Sequence, residues 1–238
     1  MRVFLAGATG VIGRRLVPLL VRAGHQVTGT TRSVDKAGAL RALGAEPVVA
    51  DVFDAAKLTE LVVAARPDAI VHQLTDLPYA PGTPRYEEGL ERNARLRVEG
   101  TRNLVAAARA AGVMRMIAQS IAFVYEAGAG ARVESDPLAA GASGMLGRTV
   151  EGVQALEQTV LALPEGIVLR YAFLYGPGTW SADAPARRPG VHVDATAQAA
   201  LLALTKGRPG IYNIGEDDPG LSSEKAKREL GFDASFRF

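Results

Sequence analysis

The sequence contains no cysteine, so disulfide bridges and thiolate chemistry are both excluded. Histidine is nearly absent as well: His25, His72 and His192 are the only three, and their spacing suits no metal site. No apolar run approaches the length of a membrane span, which argues against a membrane partner. No leader pattern precedes the first apolar segment, so the chain reads as cytoplasmic. Neither sign of charge dominates. The 27 Lys and Arg stand against 25 Asp and Glu, and the arginines are scattered. That distribution describes solvated helix faces and gives no nucleic-acid surface. What remains is a chain of 238 residues, 48% hydrophobic and 22% charged. Those values allow one sizeable α/β domain over residues 1–238 and not comfortably two.

Apolar runs alternate with amphipathic stretches through the first half, the pattern of βαβ units feeding a parallel sheet. Strands are expected at Val3–Ala6, Gln26–Thr31, Pro47–Ala50, Ala69–Gln73, Val113–Gln119, Ile167–Tyr171 and Gly210–Ile214. Helices are expected at Val11–Ala23, Asp35–Leu43, Ala55–Ala65, Glu87–Ala111, Thr149–Leu163, Ala195–Thr205 and Ser222–Leu230. Pro18 introduces a local kink into the first helix, and Ser222 or Ser223 caps the last. Right-handed crossovers turn this order into a Rossmann sheet, parallel and doubly wound, with helices on both faces. After Tyr175 the texture changes to a polar, Pro- and Arg-rich loop, and residues 176–238 are expected to include a small C-terminal lobe.

The strongest motif is Gly7-Ala8-Thr9-Gly10-Val11-Ile12-Gly13, placed between a strand and a helix. Gly7 permits the tight turn, Gly10 clears space for a pyrophosphate, and Gly13 lets the helix lie close to the strand. The amides from Thr9 through Val11 and Ile12 then face the phosphates at a helix N-terminus. The second strand ends in Thr30-Thr31-Arg32-Ser33 rather than in an acid. Arg32 suits a 2′-phosphate, with hydroxyls from Thr31 or Ser33, so NADP(H) is favoured over NAD(H). Asp51 and Val52 follow the third strand and are expected at the adenine. Alternatively Asp51 is a helix cap, a role Asp54 fills equally well. Gln73 and Leu74 end the fourth strand beside the cofactor ribose, and His72 reads as a packed strand residue.

Taken with these segments, the sequence resembles the extended or atypical short-chain dehydrogenases, the NAD-dependent epimerase/dehydratase group. Asn93, Glu99-Gly-Thr-Arg-Asn103, Tyr175-Gly-Pro-Gly178, His192-Val-Asp194 and Ala226-Lys-Arg-Glu-Leu-Gly231 extend the match along nearly the whole chain. The resemblance implies a small-molecule substrate, hydride transfer at a nicotinamide, and a Ser/Thr–Tyr–Lys catalytic set. It also assigns Asn93, Gln119, Ser120, Tyr171 and Phe173 to the cofactor. The expected catalytic set is missing. Anchoring on Glu157 puts Thr149 at the tyrosine and Val153 at the lysine, and no Tyr-x-x-x-Lys occurs anywhere. Anchoring on Tyr125 puts Ile121 at the catalytic hydroxyl. Ser120, Tyr125 and His192 remain as substitutes, with His192 alone near neutral pKa.

The resembling proteins carry a substrate lobe that is much shortened here, around 179–190 and 216–223. Two readings follow. One is an NADP-dependent oxidoreductase of variant mechanism, the other a dinucleotide sensor or scaffold without turnover. The resemblance also suggests a homodimer through Glu87–Ala111 and Thr149–Leu163, although both helices suit packing on their own sheet equally well.

Overall fold

The computed structural model describes residues 1–238. Its centre is a seven-stranded sheet in the order β3-β2-β1-β4-β5-β6-β9. The strands are β1 (Arg2–Ala6), β2 (Gln26–Thr31), β3 (Glu46–Val49), β4 (Ala69–His72), β5 (Arg115–Ile121), β6 (Glu165–Tyr171) and β9 (Gly210–Ile214). Every neighbouring pair is parallel. Strand order reverses between β1 and β4, which opens a crevice at their C-terminal ends.

Alternation along the strands sends side chains to two cores. Val3 and Leu5 join one with Leu16 and Leu20 of α1 (Gly13–Arg22) and the buried alanines of α7 (Val193–Leu202). Phe4, Ile70 and Met116 join the other, under α3 (Ala55–Ala65), α5 (Thr101–Ala110) and α6 (Gly144–Leu161). Helices cover both faces, so the strands read as continuous apolar runs rather than alternating ones. Each fully buried Phe or Leu contributes about 1.5–3 kcal/mol to this arrangement. The remaining helices are α2 (Ala37–Ala42), α4 (Tyr86–Arg95) and α8 (Glu224–Leu230). None of the helices is long and apolar enough to cross a membrane.

Several expectations need correction. The first helix begins at Gly13, not Val11, and runs through Pro18. The stretch expected as Glu87–Ala111 is α4 and α5 joined by a π-helical turn, Leu96–Gly100. The helix expected from Thr149 starts five residues earlier, at Gly144. Ser223 precedes α8, but its hydroxyl accepts from the Gly215 amide, whereas Ser222 accepts from Glu224 at 3.4 Å. A short parallel pair, β7 (Phe173–Tyr175) with β8 (Gly190–His192), went unforeseen. It closes the loop 176–189 into a compact unit in which Gly176 donates to the Ser181 carbonyl.

Candidate functional site

The turn after β1 is set by three glycines, two of them forced. Gly7 has a φ of +91°, and a Cβ there would come within 2.7 Å of the Gln73 backbone. A Cβ on Gly13 would stand 2.2 Å from the Gly7 carbonyl and 2.7 Å from the Cα of Ala8. Gly13 thus brings α1 close to the preceding turn rather than to the strand itself. No side chain caps α1. Gly10 donates to Gly7 and Arg14 to Gly10, each at 3.0 Å, while Val11, Ile12 and Gly13 have no backbone acceptor. Free amides and the positive end of the helix dipole converge on the crevice.

A cleft of about 210 Å³ opens beside this turn. Its walls include Thr9, Arg32, Asp51, Val52, Gln73 and Leu74, all expected from sequence, together with Lys36 and Phe53, which were not. Lys36 follows Arg32 by four residues at the end of a 3-10 turn, Val34–Lys36. Arg32 is 63% exposed and stands 3.5 Å from the buried Asp76 carboxylate. That carboxylate is already held by two hydrogen bonds from Arg92. Arg92 also stands 4.0 Å from Glu88, so at the end of β2 the cleft presents Arg32 and Lys36, with Asp51 in the same lining. Thr31 is committed elsewhere: its hydroxyl donates to the Ser33 carbonyl and accepts the Ser33 amide. The Ser33 hydroxyl itself is half-exposed.

Asp54 caps α3 by accepting from Lys57 at 3.0 Å, and Asp51 accepts from the Phe53 amide, also at 3.0 Å. The cap alternative for Asp51 therefore falls to Asp54. Gln73 Nε2 donates to the Tyr171 hydroxyl at 3.0 Å, while Gln73 Oε1 is buried with no partner. An orphaned buried acceptor costs about 1–3 kcal/mol. It fits a ligand hydroxyl, as the glycine cradle fits a diphosphate. Gln119 donates to the Leu74 carbonyl at 2.8 Å and so fixes the strand end. Asn93 is fully buried and accepts the Asp76 amide at 3.0 Å, holding the loop instead of lining the cleft.

The residues considered for catalysis are tied into the frame. Ser120 donates to Glu157 at 2.8 Å, and Glu157 takes two further bonds from Arg170 in a pair 4% and 6% exposed. Tyr125 accepts from Arg170 and donates to Asn213, both at 2.7 Å. Burial raises the Tyr125 phenol, and the Tyr171 phenol is driven far above its ordinary range by its own burial. His192 Nδ1 accepts the Asp194 amide as the cap of α7. Its Nε2 faces Gly176, where a Cβ would approach to 2.6 Å. Burial, then the Arg237 charge, lowers its pKa, so the ring is neutral near pH 7. Thr149 is half-buried and Val153 fully buried, with no titratable group at either position. At the outer ends of β5 and β6, Phe123 and Phe173 stack with centroids 4.2 Å apart and planes inclined by 11°.

Comparison with known proteins now adds to this geometry. Residues 7–160 match a family model described as NAD(P)H-binding. The chain belongs to the NAD(P)H-binding family. It is 38% identical over 245 residues to a 3-diazoavenalumate denitrifying reductase from a Streptomyces species, covering 94% of this chain and 79% of that protein. Among solved structures, it is similar to the UDP-glucose 4-epimerase of Thermotoga maritima with UDP-glucose, with TM-score 0.78 and 18% identity over 100% of this chain and 94% of that one. The UDP-glucose 4-epimerase of Thermus thermophilus in complex with NAD gives TM-score 0.77 and 19% identity over 100% and 95%. At such identities the epimerases share the fold alone.

Proposed function

We propose that this protein is an NADPH-dependent reductase that delivers hydride to an electrophile needing no proton from the protein. The observation that carries the reading is the pairing of an intact dinucleotide cradle with a nicotinamide end that has no acid. Ser120 and Tyr125 are spent on the Glu157–Arg170 network, Val153 replaces the lysine, and His192 is a neutral helix cap. Gly7, Gly10 and Gly13 with the amides of Val11 and Ile12 would hold the pyrophosphate. Arg32, Ser33 and Lys36 would hold the 2′-phosphate, which favours NADPH over NADH. Asp51 and Val52 would take the adenine, and Gln73 Oε1 a ribose hydroxyl.

A bound NADPH supplies the hydride. Carbonyl reduction requires a proton at the new alkoxide and a residue to give it. A diazo group does not. An arenediazonium that takes hydride at its terminal nitrogen becomes an aryldiazene. Loss of N2 then leaves the hydrogen on carbon, and the sum is ArN2⁺ plus NADPH giving ArH, N2 and NADP⁺. The similarity to the Streptomyces 3-diazoavenalumate denitrifying reductase supports this substrate class. So does the Phe123–Phe173 stack, which offers a flat apolar wall to an aromatic ring at the strand ends.

The test follows absorbance of NADPH deuterated at C4 with benzenediazonium and, separately, with acetophenone. Saturable, enzyme-dependent oxidation with the diazonium, one benzene and one N2 for each NADPH consumed, a slowing of turnover by the C4 deuterium and no reduction of the ketone are expected. Faster turnover of acetophenone would overturn the reading. NADPH binding without turnover of either compound would favour the sensor.

A further inference from the structure

Arg97 is the one buried cation in the fold that answers to nothing. It is 5% exposed and lies in the π-helical turn between α4 and α5. It makes no hydrogen bond and no ion pair, and its Nε is fully enclosed without a partner. Two titratable groups lie within electrostatic reach of it, Glu157 of α6 and His72 of β4. Glu157 is already neutralised by Arg170, whose guanidinium binds both its oxygens. The His72 ring is neutral, held between the Thr101 hydroxyl and the Leu74 amide. One positive charge is left over in the interior. An uncompensated buried ion costs several kcal/mol and persists where something else repays it. A π turn inside a helix is itself a feature that concentrates at functional sites.

Topology places this charge at the ligand-bearing edge. The helix between parallel strands β4 and β5 returns antiparallel to them. Arg97 precedes Thr101 by one turn, so it lies beyond His72 toward the C-terminal strand ends. Ala118 is the register partner of His72. Ser120, two residues on, therefore shares that face and reaches Glu157. Val153 stands one turn from Glu157 toward the same edge. Helices α4 and α6 touch there, since a Cβ on Gly152 would meet Ala94 at 3.4 Å. Arg97 and Val153, the position from which the lysine is missing, are thus both directed by topology toward the same strand edge.

We infer that Arg97 binds an anionic oxygen of the substrate, a carboxylate by preference, so that the substrate is an aromatic acid. The inference rests on the reductase reading above for the ring and the hydride, and adds the anion. Guanidinium remains protonated across the working pH range and donates in a planar fork that matches a carboxylate. It replaces the missing lysine as a charge and cannot replace the tyrosine as an acid, which agrees with an acid-free hydride transfer.

The experiment is thermal unfolding of the full chain, with and without saturating NADP⁺, against rising benzoate or benzamide at constant ionic strength. Wild type, Arg97→Met and Arg97→Lys are compared. Benzoate is expected to raise the wild-type Tm saturably, with benzamide at least tenfold less potent. Arg97→Met should lose the benzoate effect, and without ligand should be at least as stable as wild type, because a stranded charge has gone. Arg97→Lys should retain part of the effect. A wild-type protein indifferent to benzoate, or an Arg97→Met variant plainly less stable without ligand, would overturn the inference and make Arg97 a packing residue. NADPH fluorescence titration separates the remaining cases. Tenfold weaker NADPH binding by Arg97→Met would reassign the anion to the cofactor and overturn the substrate assignment. Failure of wild type to bind NADPH would sink the reductase reading, while the arm without cofactor would still report on Arg97.

Discussion

Ser120 and Tyr125 show how one residue type can be legible in sequence and its work still misread. Both stand where the resemblance implies chemistry, and both spend their hydroxyls on Glu157, Arg170 and Asn213. Ser120→Ala and Tyr125→Phe should each cost roughly 1 kcal/mol of stability, the usual net worth of a hydrogen bond. NADPH turnover should stay within about twofold of wild type. Denaturant unfolding and steady-state rates check the pair. A loss of turnover without a loss of stability would return these residues to catalysis. Glu157→Gln is expected to be far worse, about 3–5 kcal/mol, because it strands the buried Arg170 guanidinium. Sequence singled out Arg32 for the cleft but missed Lys36, whose approach depends on a 3-10 turn that no periodicity announces. Arg32→Ala combined with Lys36→Ala should lower NADPH affinity tenfold or more and leave NADH affinity nearly unchanged, since each charge-assisted bond is worth about 1.5–3 kcal/mol.

His72 gives the acid limb of stability its sign. Burial holds its pKa down at about 4, against 6.5 for the free side chain, with Arg97 as the second cause. The folded ring is neutral where the unfolded one takes a proton, so stability falls as pH drops from about 6.5 toward 4. The whole loss is of order 3 kcal/mol at about 1.4 kcal/mol per pKa unit. His72→Gln should flatten that limb in urea titrations between these pH values, and an unchanged slope would refute the assignment.

Among the elements, strand β2, helix α3 and strand β9 agree with the sequence reading to the residue, because turn residues bound each of them. Helix α6 was read short at its start. Gly144 and Gly147 argue for a loop, yet a Cβ on Gly147 would come within 2.3 Å of the Ala142 carbonyl, so the glycine serves a close helix entry. The π turn at Leu96–Gly100 was invisible, since a single extra residue in a helix leaves the apolar spacing almost intact. The glycine pattern of the β1–α1 turn was legible, although the helix starts at Gly13 and not Val11, and the turn carries the sharpest test at this scale. Gly13→Ala puts a methyl where no atom fits, 2.2 Å from the Gly7 carbonyl. The turn must open, and NADPH affinity should fall by about a hundredfold or the fold should lose several kcal/mol. Fluorescence titration and thermal unfolding together read both results. A variant normal in each would mean that the turn does not form the cradle.

For the whole molecule, the fold class followed from alternating apolar and amphipathic segments, and the parallel sheet with helices on both faces agrees with it, while the strand order came from the structure. The lobe was less legible. The pair β7–β8 joins two three-residue strands through a loop 176–189 of polar and Pro-rich sequence, too short and too irregular for a period to register. Arg15 donates to the Pro177 carbonyl at 2.7 Å and stands 3.0 Å from Asp194, so this lobe is anchored on α1 itself. Glycine turn, the cleft beside it and lobe therefore form one connected unit around the crevice between β1 and β4. The most direct measurement is equilibrium titration of the wild-type chain with NADPH and with NADH, read by nicotinamide fluorescence. A single saturable site that prefers NADPH by at least tenfold is the expected result. Tighter binding of NADH would contradict the role given to Arg32 and Lys36, and saturable binding of neither would contradict the site itself.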